Sequence, residues 1–116
     1  MKSLVDQIWR HPVKSLGAEQ VSSLMLHEGK TLPGDRVWAL TYEKSRWDAK
    51  KPAWARSQVF LRCSIAPLFA AVSTKVDDET GIIEFSHPLL PKICLDLDSD
   101  VERKHFIEWV MTWFSL

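Results

Sequence analysis

The chain is poor in cysteine and contains no long apolar run. Cys63 and Cys94 are its two cysteines, they are far apart, and neither belongs to a C-x-x-C motif. This excludes a disulfide framework and a zinc cluster, and we expect both thiols to be reduced. The longest apolar stretch, residues 65–72, is too short to span a bilayer, and residues 1–6 lack a signal-peptide core. A cytoplasmic protein without a membrane partner is therefore predicted.

Net charge is also absent, but the charges are unevenly distributed. Residues 1–62 contain eleven Lys or Arg and six Asp or Glu, whereas residues 63–116 contain four and nine. The first half therefore carries +5 and the second −5. Such an asymmetry either steers an anion to the first half or lets the two halves attract each other. With 116 residues, of which six are Trp, the chain is long enough for one domain with an aromatic-rich core or pocket.

Alternation of apolar and polar residues predicts about six short strands. They cover residues 4–11, 19–26, 37–42, 69–76, 82–86 and 93–97. The first two are expected to pair as a hairpin, and Gly81 suits the turn between the fourth and the fifth. Because no helix separates the first three strands, we expect a mainly β (α+β) fold with an antiparallel, barrel-like sheet.

The end of the chain predicts an amphipathic helix at about residues 100–114. Ser99 and Glu102 have the spacing of a capping box. Apolar residues then follow at i, i+3, i+4 and i+7: Phe106, Trp109, Val110 and Trp113. The apolar face widens to include Ile107, Met111 and Phe114. Because most of the circumference is apolar, this helix needs partners on more than one side. We therefore expect either that residues 1–116 form one domain of a longer protein or that the chain forms a homodimer through this helix.

Residues 43–62 predict a long basic loop. They contain six Lys or Arg, two acidic residues and two tryptophans, Trp47 and Trp54, without periodicity. A loop of this length is usually functional or disordered. Indoles between cations are compatible with nucleic acid, but no nucleic-acid-binding motif flanks them, so a solvated loop is the favoured interpretation.

Two cations next to turns form a candidate anion site. Lys14 and Ser15 follow the first strand and Pro12, and Arg36 follows the Pro33-Gly34 turn. An ammonium, a hydroxyl and a guanidinium held near turn N–H groups suit phosphate or carboxylate oxygens. The alternatives are a solvated Lys14 and a structural ion pair of Arg36 with Asp35 or Glu19.

Catalytic and metal-binding patterns are not found in the sequence. The four histidines, at positions 11, 27, 87 and 105, lack the spacing of metal ligands. No Ser-His-Asp or Cys-His arrangement is recognisable, and Cys63 and Cys94 lie where small apolar residues would serve as well. We predict no catalytic residue and no metal ligand in this chain.

Residues 8–16 (IWRHPVKSL) and 33–40 (PGDRVWAL) resemble the opening of the MOSC proteins, the family of the molybdenum-cofactor sulfurase C-terminal domain. The shared pattern is P-V-K-S followed by G-D-R-x-W, and the resemblance is best over residues 1–42. The remainder is similar to the N-terminal β-barrel portion of these proteins, with residues 43–62 as a variable insert.

The resemblance implies a function that the chain shares with a second, C-terminal MOSC domain, because the pterin cofactor of such proteins lies between the two. Lys14, Ser15 and Arg36 would then contact the phosphate and pterin oxygens of molybdenum cofactor. The reactive cysteine of the family lies in the C-terminal domain, and neither Cys63 nor Cys94 matches it. The resemblance thus implies a sulfurtransferase or molybdenum-dependent oxidoreductase, in which this chain alone neither reacts nor binds the cofactor tightly.

A second hypothesis comes from a different class of function. The chain would be a stand-alone binding module that uses residues 43–62 for an acidic partner or nucleic acid. The helix at 100–114 would then serve for homodimerisation.

Overall fold

Five strands, a short 3-10 helix and a C-terminal α-helix make up the structure, which is a computed structural model. It describes residues 2–41, 50 and 67–114, except for the side chains of residues 67, 68, 113 and 114. In chain order the elements are β1 (Ile8–Arg10), β2 (Glu19–Val21), the 3-10 helix (Pro67–Ala71), β3 (Ser73–Val76), β4 (Ile83–His87), β5 (Leu90–Leu95) and α1 (Asp100–Phe114). The predicted class, mainly β with a C-terminal helix, is confirmed.

Two antiparallel sheets carry these strands. Strands β1 and β2 form a hairpin in which Arg10 lies opposite Glu19, and β3, β4 and β5 form a meander in that order. Gly81, with a φ of 77°, lies in the turn between β3 and β4, as the sequence predicted. The sheets do not close into a barrel within the described residues.

The predicted strand at residues 37–42 is wrong in the described part, residues 37–41. Trp38 makes only an isolated parallel bridge, to Val13. Arg36, immediately before this segment, has a left-handed backbone with a φ of 50°, which breaks the extended conformation. The bridged partner also follows Pro12, which has no N–H for a regular ladder. The chain therefore makes two turns that touch rather than a third strand. The predicted loop at residues 43–62 lies outside the described residues, apart from Lys50.

One apolar core joins the meander to α1 and to the turn after β1. The buried side chains in it are Val13, Leu16, Leu40, Phe69, Val72, Ile83, Phe85, Leu95, Leu97, Phe106 and Val110. The rings of Phe85 and Phe106 stack with their centroids 4.5 Å apart, which fixes the helix on the sheet. Ile107 and Met111 are 42% and 50% exposed, so this part of the helix surface is open in the described structure.

The start of α1 shows half of the predicted capping box. Ser99 Oγ accepts a hydrogen bond from the backbone N–H of Glu102 at 3.4 Å, as an N-cap does. The Glu102 carboxylate, however, accepts from the N–H of Asp96 at 3.2 Å. The N–H of Ser99 is already donated to the carbonyl of Asp96, so Glu102 satisfies the preceding turn instead.

Candidate anion-binding site

Backbone hydrogen bonds bring the two cation-bearing turns together. The N–H of Arg36 donates to the carbonyl of His11 at 2.5 Å, and the N–H of Trp38 donates to the carbonyl of Pro12 at 3.1 Å. In return, the N–H of Lys14 donates to the carbonyl of Trp38 at 2.8 Å. The residues after β1 therefore run parallel to residues 36–38, which places Lys14 and Arg36 on neighbouring segments.

The turn after Lys14 is anchored on the second sheet. The N–H of Gly17 donates to the carbonyl of Val72 at 2.7 Å, and the buried hydroxyl of Thr74 donates to the carbonyl of Gly17 at 2.9 Å. A Cβ on Gly17 would overlap the Val72 carbonyl oxygen and would lie 3.2 Å from that of Ala70. Only glycine allows this close approach of two backbones.

A pocket of about 400 Å³ lies at this junction. Its lining contains all three sequence-predicted residues, Lys14, Ser15 and Arg36, together with His11. Among the described residues, Leu16, Gly17, Ala18 and Ala70 also line it. Its volume falls in the range of small-molecule sites. It combines the positively charged side chains of a lysine and an arginine with the hydroxyl of a serine. The structure therefore brings the predicted residues into one pocket; that they bind a cofactor stays a prediction.

Two residues of the pocket have an unusual backbone. Ser15 and Arg36, with φ of 73° and 50°, are the non-glycine residues with positive φ in the described part of the chain. A left-handed conformation costs a residue with a Cβ about 1–2 kcal/mol, and such strain is concentrated at functional sites. Ser15 and Arg36 are also two of the three residues that the sequence predicts for the anion site, from their side-chain chemistry and their position next to turns.

The structure also decides between the two proposed ion-pair partners of Arg36. Nη1 of Arg36 lies 2.5 Å from Oδ2 of Asp35, while Glu19 pairs with another residue. The second oxygen of Asp35 accepts a hydrogen bond from the N–H of His11 at 2.7 Å. The Arg36 side chain remains 59% exposed and still lines the pocket, so the ion pair and the pocket role coexist.

Sequence reasoning missed Arg10, which is fully buried beneath this junction. Its Nε lies 3.0 Å from Glu19 Oε2, and its two Nη atoms lie 3.0 and 2.9 Å from the two carboxylate oxygens of Asp78. The Asp78 carboxylate, which accepts hydrogen bonds from both Nη atoms, raises the pKa of Arg10. Burial opposes this shift and the hydrogen bond that Arg10 donates to Glu19 adds to it, so Arg10 stays protonated. The predicted hairpin contained the signal, because it places Arg10 directly opposite Glu19.

His11 also lines the pocket, although its position in the sequence has no metal-ligand spacing and shows no other signal of this role. Among the described residues, no three His, Cys, Asp or Glu side chains are arranged to hold a metal ion. In the same part of the chain, no helix has the length and apolar composition needed to cross a membrane.

The structure thus shows a mainly β domain with a polar pocket at the contact of two turns. The chain belongs to the family of the MOSC N-terminal beta barrel domain, whose family model matches residues 2–113. The resemblance found in the sequence is thereby confirmed. Neither a curated protein nor a solved structure gives a significant match to the chain.

Proposed function

We propose that this domain binds the anionic end of molybdenum cofactor, its phosphate and pterin oxygens, in a sulfur-transferring or molybdenum-dependent protein. The observation that carries the proposal is the convergence of Lys14, Ser15 and Arg36 on one pocket. Membership of the MOSC N-terminal family supports the choice of ligand. The bound cofactor would supply the molybdenum chemistry, and the reactive cysteine would come from a C-terminal domain.

The donors in the pocket fit such an anion. Lys14 supplies a compact ammonium, and Ser15 supplies a hydroxyl next to it in sequence. Arg36 uses Nη1 for Asp35, while its guanidinium has further N–H groups that suit paired oxygens. Charge-assisted hydrogen bonds of this kind are about twice as strong as neutral ones. The left-handed backbones of Ser15 and Arg36 orient these groups before the ligand arrives, which lowers the entropic cost of binding.

The test uses a protein that contains this domain followed by a C-terminal MOSC domain. Lys14→Ala and Arg36→Gly are introduced separately and together, and molybdenum and pterin content are measured per purified protein. Glycine is chosen at position 36 because it keeps the φ of 50° without strain. We expect each single variant to lower cofactor content about tenfold, since each removes a charge-assisted contact.

Lys92→Ala is the matched control, because Lys92 is exposed on β5 and does not line the pocket. It removes one positive charge and should leave cofactor content unchanged. Cofactor retained at the wild-type level by the Lys14/Arg36 double variant would refute the proposed function.

A further inference from the structure

We propose that Arg10 is a positioning residue for Arg36 and that Asp78, in the turn between β3 and β4, controls anion affinity through it. The inference rests on the proposed anion-binding function of the pocket. Neither Arg10 nor Asp78 lines that pocket. The coupling therefore has to pass through the residues that link them to Arg36, which are Pro33, Gly34 and His11.

Arg10 joins three separate parts of the chain. Its Nε contacts Glu19 of β2, and its two Nη atoms make a bidentate pair with Asp78. Nη1 also donates to the carbonyl of Pro33 at 3.3 Å, in the turn that precedes Arg36. Glu19 in turn accepts from the N–H of Val76 at 3.2 Å. One buried guanidinium thus ties the hairpin, the β3–β4 turn and the turn at residues 33–36 together.

The turn at residues 33–36 is packed directly on Arg10. A Cβ on Gly34 would lie 2.8 Å from Nη1 of Arg10, so the guanidinium fills the space below this glycine. Asp35 and Arg36 then bond to the N–H and the carbonyl of His11, the next residue after Arg10. Each residue of the turn therefore contacts Arg10 or His11. A shift of the Arg10 guanidinium would therefore move Pro33 and Gly34, and with them the backbone that holds Arg36 in its left-handed conformation.

Asp78 is the solvent-accessible residue of this ion-pair cluster and can be substituted without changing a buried side chain. Its side chain is 67% exposed, whereas that of Arg10 is completely buried, so Asp78 closes the ion-pair cluster from the solvent side. Asp78→Asn retains the size of the side chain but cannot make two charged contacts with the guanidinium. Arg10 is then expected to move toward Glu19 or toward water, and the support of the Pro33–Gly34 peptide changes.

The sign of the effect separates positioning from long-range electrostatics. Asp78→Asn removes a negative charge, and by electrostatics alone this favours an anion anywhere on the domain. Positioning predicts the opposite, weaker binding, because Arg36 is displaced from the ligand. Glu79→Gln makes the same charge change at the next residue of the same exposed turn and serves as the control.

The experiment titrates the chain with inorganic phosphate at constant ionic strength and follows the amide NMR signals of Lys14, Ser15 and Arg36. Asp78→Asn should raise the Kd for phosphate about three- to tenfold, the range expected for residues coupled through one network. Glu79→Gln should leave the Kd unchanged or slightly lower. In an Arg36→Gly background, Asp78→Asn should have no further effect, because the group that it positions is gone.

Three results would overturn the inference. A merely structural role would lower the melting temperature of Asp78→Asn while the folded protein kept its Kd. Additive effects of Asp78→Asn and Arg36→Gly on log Kd would show that Asp78 does not act through Arg36. An unchanged Kd in Lys14→Ala and Arg36→Gly would refute the proposed function itself, and the inference with it. If Asp78→Asn does not fold, Asp78→Glu, which displaces the carboxylate by one methylene and keeps its charge, takes its place. Electrostatics alone then predicts an unchanged Kd, whereas positioning still predicts a higher Kd, and an unchanged Kd would overturn the inference.

Discussion

Gly17→Ala tests whether the pocket turn is held by its close approach to the second sheet. An added Cβ would overlap the carbonyl oxygen of Val72, a backbone atom that cannot rotate away as a side chain does. Overpacking costs about 1–3 kcal/mol, and weakening the 2.7 Å hydrogen bond from Gly17 to Val72 costs about 1 kcal/mol more. Reduced unfolded-state entropy returns about 0.5 kcal/mol. We therefore expect a net loss of about 1.5–3.5 kcal/mol in the free energy of unfolding.

Thermal unfolding of the chain, followed by circular dichroism, measures this loss. A domain of this size loses about 4 °C in Tm per kcal/mol, so Gly17→Ala should melt about 10 °C lower. Gly29→Ala is the control, because Gly29 has a φ of 72° but no atom within 4 Å of an added Cβ. There only backbone strain of about 1 kcal/mol is expected, or about 4 °C. The packing argument fails if Gly17→Ala destabilises the chain no more than Gly29→Ala does.

Two further predictions concern the helix. Phe106→Ala removes a buried ring that stacks on the meander and should lower the free energy of unfolding, measured with urea, by about 3–5 kcal/mol. Ile107→Ala, at a 42% exposed position, should lower it by less than about 1 kcal/mol. Similar urea midpoints for the two variants would contradict the observed orientation of α1. Ser99→Ala removes the N-cap acceptor for Glu102 and should lower stability by about 1 kcal/mol, and an unchanged Tm would mean that this 3.4 Å contact contributes nothing.

Local sequence patterns predict an element correctly where the apolar face that the pattern describes is also the face that the fold buries. The alternation around β4 and the periodicity of α1 describe faces that are buried in the structure, with Phe85 and Phe106 at 0% and 3% exposure. The segment at residues 37–41 also alternates, but its conformation is set by contacts far away in sequence. Hydrogen bonds of Trp38 with Pro12 and Lys14 give it a short parallel bridge, and a period-two pattern cannot show which strand, if any, will be its neighbour.

The pocket residues were recognisable because their chemistry lies in single side chains next to turns. Lys14, Ser15 and Arg36 are polar groups within two positions of a Pro or Gly, where a chain exposes functional atoms. Arg10 was not recognised, because a charged residue in a strand is normally solvated. Its burial depends on Asp78, which is 68 positions away and joins it only through the fold of the second sheet.

The strain at Ser15 and Arg36 indicates what the second sheet does for the pocket. Two left-handed non-glycine residues are unfavourable on their own, and they persist only where surrounding contacts fix them. For the turn of Ser15 those contacts are Gly17 with Val72 and Thr74; for the turn of Arg36 they are the bonds to His11 and, below it, Arg10 with Asp78. Both sets lead to β3 or to residues on either side of it. The meander therefore supports the geometry of a pocket that its strands do not line, and substitutions around β3 should affect the proposed anion binding and the stability together.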